Sequence, residues 1–233
     1  MNIISKYFSD FTEKQTSQLS ALEGLYKDWN EKINVISRKD IDSLYEKHVL
    51  HSLSIAAVFP FQDGTQIVDL GCGGGFPGIP LAIFFPEVHF HLVDSIAKKL
   101  KVVEAVSQAV ELKNITVQHS RIEDTRDKKF DFVISRAVAP LRDLWKWSKP
   151  LIRKNNQNKE EIAPGLICLK GGDLAHEIHE SHTRPYITPI KKILYQFIPQ
   201  KYYIIYILDD EMNVRKSFTE TEIINKILET GLD

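Results

Sequence analysis

The sequence predicts a doubly wound α/β fold, in which a mostly parallel sheet carries helices on both faces, preceded by a helical extension. Three observations lead there. From Ile67 onward, short apolar β-branched runs alternate with longer amphipathic stretches, which is the sequence form of successive β-α-β units. The first of these runs ends in "DLGCGGGFPG", a glycine-rich seam between a buried strand and a helix, where such sheets make their first crossover. The first sixty residues instead repeat apolar side chains at helical intervals.

Within that extension, Phe11, Leu19, Leu22, Leu25, Tyr26 and Trp29 recur every three or four residues and predict one helix. Leu44, His48, Leu50 or His51, Ile55 and Val58 predict a second, starting at Asp40 or Asp42 and stopping at Pro60. Strands are expected at Gln66 to Leu70, His89 to Asp94, Ile115 to His119, Phe130 to Ser135 and Gly165 to Lys170, with helices between them. Two alternating apolar runs, "KKILYQFI" and "YYIIYILDD", joined by "PQK", predict an antiparallel pair that closes one edge and brings the sheet to seven strands. "KNNQNKEE", from Lys154 to Glu161, reads as a polar loop.

The totals bound the function. A chain of 233 residues with 43% hydrophobic content fits one domain, residues 1–60 forming the helical extension and 61–233 the cofactor-binding core. The 30 Lys and Arg nearly cancel the 31 Asp and Glu, so a nucleic-acid site must be a local basic face. Cys72 and Cys168 form no disulfide framework or metal spacing, and Cys168 sits in an apolar strand as core. No stretch approaches the roughly 20 apolar residues of a membrane span. A cytoplasmic protein without a membrane partner is expected.

The turn contains Gly71, Gly73, Gly74, Gly75 and Gly78. A tight turn needs one or two glycines, so this density suggests a ligand lying against bare backbone. Two ligands compete. Gly73, Gly75 and Gly78 match GxGxxG, and Asp94 follows at the distance of a ribose-binding acid, which allows an NAD(P)-dependent oxidoreductase. Pro77 and Pro80 each delete an N–H where a pyrophosphate would need donors. S-adenosylmethionine carries no phosphate and loses less. Asp69 would supply an anion for its cationic end, Asp94 would accept from its ribose hydroxyls, and Ile122 and Glu123, after the third strand, would meet its adenine.

The loop after the fourth strand, "FDFVISRAVAPL", has no aromatic NPPY-like grip for an exocyclic amine and no Pro-Cys nucleophile. Its distinctive residue is Arg136. A guanidinium stays protonated and is a poor base, so the acceptor should be an atom that needs no deprotonation. Lys98, Lys99 and Lys101 after the second strand, with Lys146, Lys149, Arg153 and Lys154 after the fourth, are candidate RNA contacts near the open end of the sheet, as is Lys170. Trp145 and Trp147 suit either base stacking or helix packing. His176, His179 and His182 are spaced by three and not by the four that zinc prefers on a helix, so no metal is assigned.

"DLGCGGGFPGIPLAI", "HLVDSIAKKLKVV", "NITVQHSRIED", "FDFVISRAVAPL" and "LKG", with "WNEKINVISRKDIDSLYEKHVLHSL" upstream, resemble the bacterial small-subunit rRNA guanine-N7 methyltransferases, also called glucose-inhibited division protein B. The likeness runs in order from about Trp29 to Gly171. It implies a Rossmann-like seven-strand methyltransferase sheet, S-adenosylmethionine as cofactor, and methylation of N7 of one guanine in the 530 loop of 16S rRNA, within an assembled or late-stage small subunit. By the same resemblance, Gly71, Phe76, Ile122, Glu123 and Arg136 fall on cofactor-contact positions, with Asp94 on the ribose. The chain departs from the family at His51, where Asp is usual, and at Lys47, where Arg is usual. A monomer suffices for this chemistry.

Overall fold

The computed structural model describes residues 1–125, 128–154, 162–194 and 202–208. Helix α1 (Glu13–Asn30) forms where the apolar spacing places it. Its start is a capping box: Thr12 Oγ1 accepts from the Gln15 amide at 3.2 Å, and the Gln15 side chain accepts from the Thr12 amide at 2.9 Å. Its inward face buries Leu19, Leu22 and Tyr26 completely.

The second expected helix is not regular. A 3₁₀ turn at Ile41–Ser43 leads into a π-helical stretch at Tyr45–Leu50 and a single α-turn, α2 (His51–Leu53). Widened turns of this kind recur at functional sites, and this one borders the cavity described below.

The core then alternates as expected: β1 (Gln66–Leu70), α3 (Gly78–Phe84), β2 (His89–Asp94), α4 (Ala97–Ala109), β3 (Ile115–His119), β4 (Phe132–Arg136), α5 (Leu141–Ser148), β5 (Gly165–Gly171), α6 (Ala175–Ser181), β6 (Tyr186–Pro189), α7 (Ile190–Ile193) and β7 (Tyr202–Leu208). The seven strands lie in the order β3-β2-β1-β4-β5-β7-β6. The first five are parallel, and β7 runs antiparallel to both β5 and β6. Strand order reverses between β1 and β4, the switch point at which open α/β sheets bind ligands.

Two expectations are corrected. Phe130 makes only an isolated bridge with Ile152, and the fourth strand runs from Phe132 to Arg136. The strand partnering β7 is Tyr186–Pro189 and not "KKILYQFI". Ile190, Ile193 and Leu194 are buried at i, i+3 and i+4, the spacing of a helical turn, and α7 forms there. Residues 195–198 of that run, and 199–201 that follow it, lie outside the described residues.

Apolar side chains cover both faces of the sheet. Ile67, Phe90, Leu92 and Ile134 pack with α1, α3 and α4, so the helical extension and the core share one hydrophobic cluster. Val68, Leu70, Val133, Leu166 and Cys168 pack with α5 on the other face. Among the described residues no helix is long and apolar enough to cross a membrane.

Candidate active site

A cavity of about 1090 Å³ opens at the carboxyl ends of β1, β2, β4 and β5. That slightly exceeds the roughly 300–1,000 Å³ typical of small-molecule sites, leaving room for a cofactor and an acceptor side by side. Gly71, Gly73, Phe76, Asp94, Glu123 and Arg136 all border it.

The glycine turn serves two purposes. Gly73, at φ +56°, would meet nothing within 4 Å if it carried a Cβ, so its backbone lies open to the cavity. A Cβ on Gly74 would stand 2.9 Å from Val35 Cβ, and one on Gly78 would stand 2.9 Å from Asp69 Oδ2 and 3.0 Å from Leu92 Cγ. Gly71 and Gly75 are crowded in the same way by Val138 and Ile79. The density of glycine is therefore not a ligand signal alone. Four of the five positions accommodate protein atoms, and Val35 comes from the helical extension. Tyr26 of α1 also donates to the Gly74 carbonyl at 2.6 Å, fully buried, and its ring lies 4.8 Å from that of Phe76.

Asp94 closes β2, and each oxygen of its carboxylate accepts one local backbone bond. Oδ2 accepts from Gly73 N at 2.9 Å and Oδ1 from Ile96 N at 2.8 Å. A carboxylate offers about four lone-pair sites, so acceptors remain for ribose hydroxyls. Glu123 reaches the cavity from the 3₁₀ turn Ile122–Asp124, which also holds Ile122.

Asp69 does not border the cavity. It is wholly buried, its Oδ2 accepts from Gly78 N at 2.9 Å, and its Oδ1 has no partner among the described residues. Burial pushes its carboxyl up to about 7, against the opposing effects of the Gly78 amide and the Arg136 charge. Its visible task is to hold the start of α3 under the glycine turn, and no direct ligand contact is available to it here.

Arg136 stands at the end of β4. Nη2 donates to His48 Nδ1 at 2.9 Å, Nη1 donates to the Lys47 carbonyl at 3.3 Å, and the guanidinium carbon lies 5.3 Å from the Phe76 ring centroid. Burial lowers its pKa to about 10, the nearby Asp69 acting in the other direction, so it remains charged at neutral pH. Burial, and secondarily Arg136, lowers His48 to about 4, which keeps that imidazole neutral.

The basic residues separate. Lys99 borders the cavity, while Lys98 and Lys101 are exposed on α4 outside it. Lys170 also borders the cavity; it is 9% exposed and bonds to Glu177 and the Ala139 carbonyl, so it braces the loop after β4. Glu177 also accepts from Leu141 N at 2.7 Å, tying the start of α5 to the same brace. Arg153 pairs with Asp131, which precedes β4, and so lies at the amino end of the strands and not at the open end. Trp145 is buried in the core, whereas Trp147 borders the cavity. His176, His179 and His182 are exposed, and the described residues contain no acidic, His or Cys group arranged to hold a metal.

Sequence reasoning missed Tyr26, Val35 and His48 as part of this site. The one signal for His48 was a polar residue on an otherwise apolar helical face.

A family model described as rRNA small subunit methyltransferase G matches residues 15–202. The chain belongs to that family. It is 60% identical over 179 residues to the Ribosomal RNA small subunit methyltransferase G of Bacteroides thetaiotaomicron, covering 76% of this chain and 84% of that one. With the protein of the same name from Cytophaga hutchinsonii it shares 52% identity over 186 residues, covering 80% and 88%. Membership in this methyltransferase family sets aside the dinucleotide reading of the glycine turn. Solved structures support the fold alone. MtNAS in complex with S-adenosylmethionine aligns with a TM-score of 0.54 at 13% identity, covering 84% of this chain and 76% of that one. A precorrin-6y C5,15-methyltransferase from Geobacter metallireducens aligns at 0.51 and 10%, covering 76% and 92%.

Proposed function

We infer that the protein transfers the methyl group of S-adenosylmethionine to N7 of one guanine in the 530 loop of 16S rRNA, presented by an assembled or late-stage small subunit. The observation that carries this is one cavity bordered by Gly73, Asp94, Glu123 and Arg136 together, in a member of an rRNA methyltransferase family.

S-adenosylmethionine supplies the electrophilic methyl carbon and the sulfur that leaves with the bonding pair. Asp94 would accept from its ribose, the open backbone at Gly73 would let it approach the turn, Glu123 and Ile122 would take its adenine, and Phe76 packs beneath Arg136. Guanine N7 carries a lone pair and no proton, so no base is needed, and the site works by holding nucleophile, carbon and sulfur in line. Arg136, charged and with donors left over after bonding His48 and Lys47, orients the acceptor. Lys99 at the rim, with Lys98 and Lys101 beyond it, offers the RNA backbone a local basic edge. The whole chain acts as one domain, as a monomer in the cytoplasm.

The test is chemical probing of 16S rRNA from a strain lacking this gene. Loss of borohydride- and aniline-induced cleavage at the 530-loop guanine is expected; unchanged cleavage overturns the reading.

A further inference from the structure

The helical extension reaches the reacting end of the cavity through a contact that the core alone does not contain. Arg136 donates from Nη2 to His48 Nδ1 at 2.9 Å and from Nη1 to the carbonyl of the preceding residue, Lys47, at 3.3 Å. Two consecutive residues of the π-helical stretch thus receive one N–H from each terminal nitrogen, which fixes both the plane and the reach of the guanidinium. A guanidinium only donates, so the His48 proton sits on Nε2 and Nδ1 is the acceptor. That Nε2 is buried with no partner among the described residues. His48 is not there to satisfy its own hydrogen bonds.

Packing holds the pair in place. The His48 ring lies 5.1 Å from the Phe76 ring, Phe76 underlies Arg136 at 5.3 Å, and Tyr26 backs Phe76 at 4.8 Å. Asp40 pairs with the Lys47 ammonium, anchoring the same stretch.

We propose that His48 is a positioning residue for methyl transfer, its Nδ1 holding the Arg136 guanidinium in the orientation that receives the acceptor guanine. This rests on the methyl-transfer reading above. The neutral imidazole that burial enforces is the form that can accept from Arg136.

The experiment measures methyl transfer from S-adenosylmethionine to small subunits by the full chain carrying His48→Phe, His48→Asn, Arg136→Ala or His48→Phe with Arg136→Ala. Phe keeps ring volume and loses the acceptor, while Asn places an oxygen near the position of Nδ1. Losing one hydrogen bond to a charged group should lower kcat about 10-fold to 100-fold in His48→Phe, with S-adenosylhomocysteine affinity within about threefold of wild type. Asn should recover most of the loss. In the Arg136→Ala background, His48→Phe should cost no more than about twofold, because the group it positions is gone. A fully active His48→Phe, a loss that multiplies with that of Arg136→Ala, or a loss in His48→Asn as large as in His48→Ala, measured alongside as the variant with neither ring nor acceptor, would each overturn the proposal; the last comparison stands even if the Phe variant fails to fold. Wild-type protein inert on small subunits overturns the methyl-transfer reading together with this proposal, whereas active wild type with an indifferent His48→Phe overturns the proposal alone.

Discussion

Replacing His51 with Phe should remove a defined part of the protein's sensitivity to acid. His51 is 8% exposed, its Nε2 has no partner among the described residues, and its ring lies 4.8 Å from that of Tyr202. Burial first, then the charges of Arg136 and His48, lowers its pKa to about 3, against about 6.5 in an unfolded chain. Between those values the unfolded chain binds more protons than the folded one, so stability falls as pH drops through the window. At about pH 5 the imidazole term amounts to RT ln(1 + 10^1.5), about 2 kcal/mol relative to about pH 8. For a chain of this size that corresponds to about 4–8 °C in Tm. Asp69 acts in the opposite sense. Its folded pKa of about 7 lies above the ordinary carboxyl value of 3.8, so its contribution weakens the fold as pH rises through that window. That term, like the one from His48, is common to both proteins and cancels in the difference. Thermal melts of wild type and His51→Phe at pH 8 and pH 5 should show wild type losing about 4–8 °C more than the variant. Equal losses would refute the assignment of His51 as a neutral, buried imidazole.

Other perturbations follow from the same geometry. Gly78→Ala would press a methyl group against Asp69 Oδ2 and Leu92 Cγ at 2.9 and 3.0 Å; overpacking of that kind costs about 1–3 kcal/mol, and a denaturant titration should find the midpoint lowered accordingly. Asp94→Ala removes the acceptor of Gly73 N and Ile96 N together with the ribose contact, and calorimetry should show S-adenosylhomocysteine bound at least about tenfold more weakly. Arg136→Ala should strongly reduce methyl transfer while circular dichroism stays that of wild type; an active, folded variant would contradict its orienting role.

What the sequence revealed is what local periodicity encodes. The strands Gln66–Leu70, His89–Asp94 and Ile115–His119 each announce themselves by a short apolar run, and Asp94 by its place at the end of one. Where an apolar cluster is read as a strand without regard to its period, the outcome differs: Ile190, Ile193 and Leu194 recur at i, i+3 and i+4, and a helical turn forms there. Long-range contacts left no local trace. His48 and Arg136 are 88 residues apart in the chain, and nothing near Arg136 announces that a histidine will accept from it. The glycines carried a mixed signal for the same reason, since a Gly required by Val35 and a Gly required by a ligand look alike in sequence. Asp69 was legible as an acid beside the glycine turn, expected to face the cofactor, whereas its burial and inward turn toward Gly78 depend on how α3 docks.

The most direct measurement is reconstitution. Purified protein, S-adenosylmethionine labelled on its methyl group and small subunits from a strain lacking the modification are combined, and the labelled 16S rRNA is mapped by borohydride and aniline cleavage. Label confined to one 530-loop guanine at N7 is the expected result. Label on another base or another ring atom, or none despite bound cofactor, would contradict it.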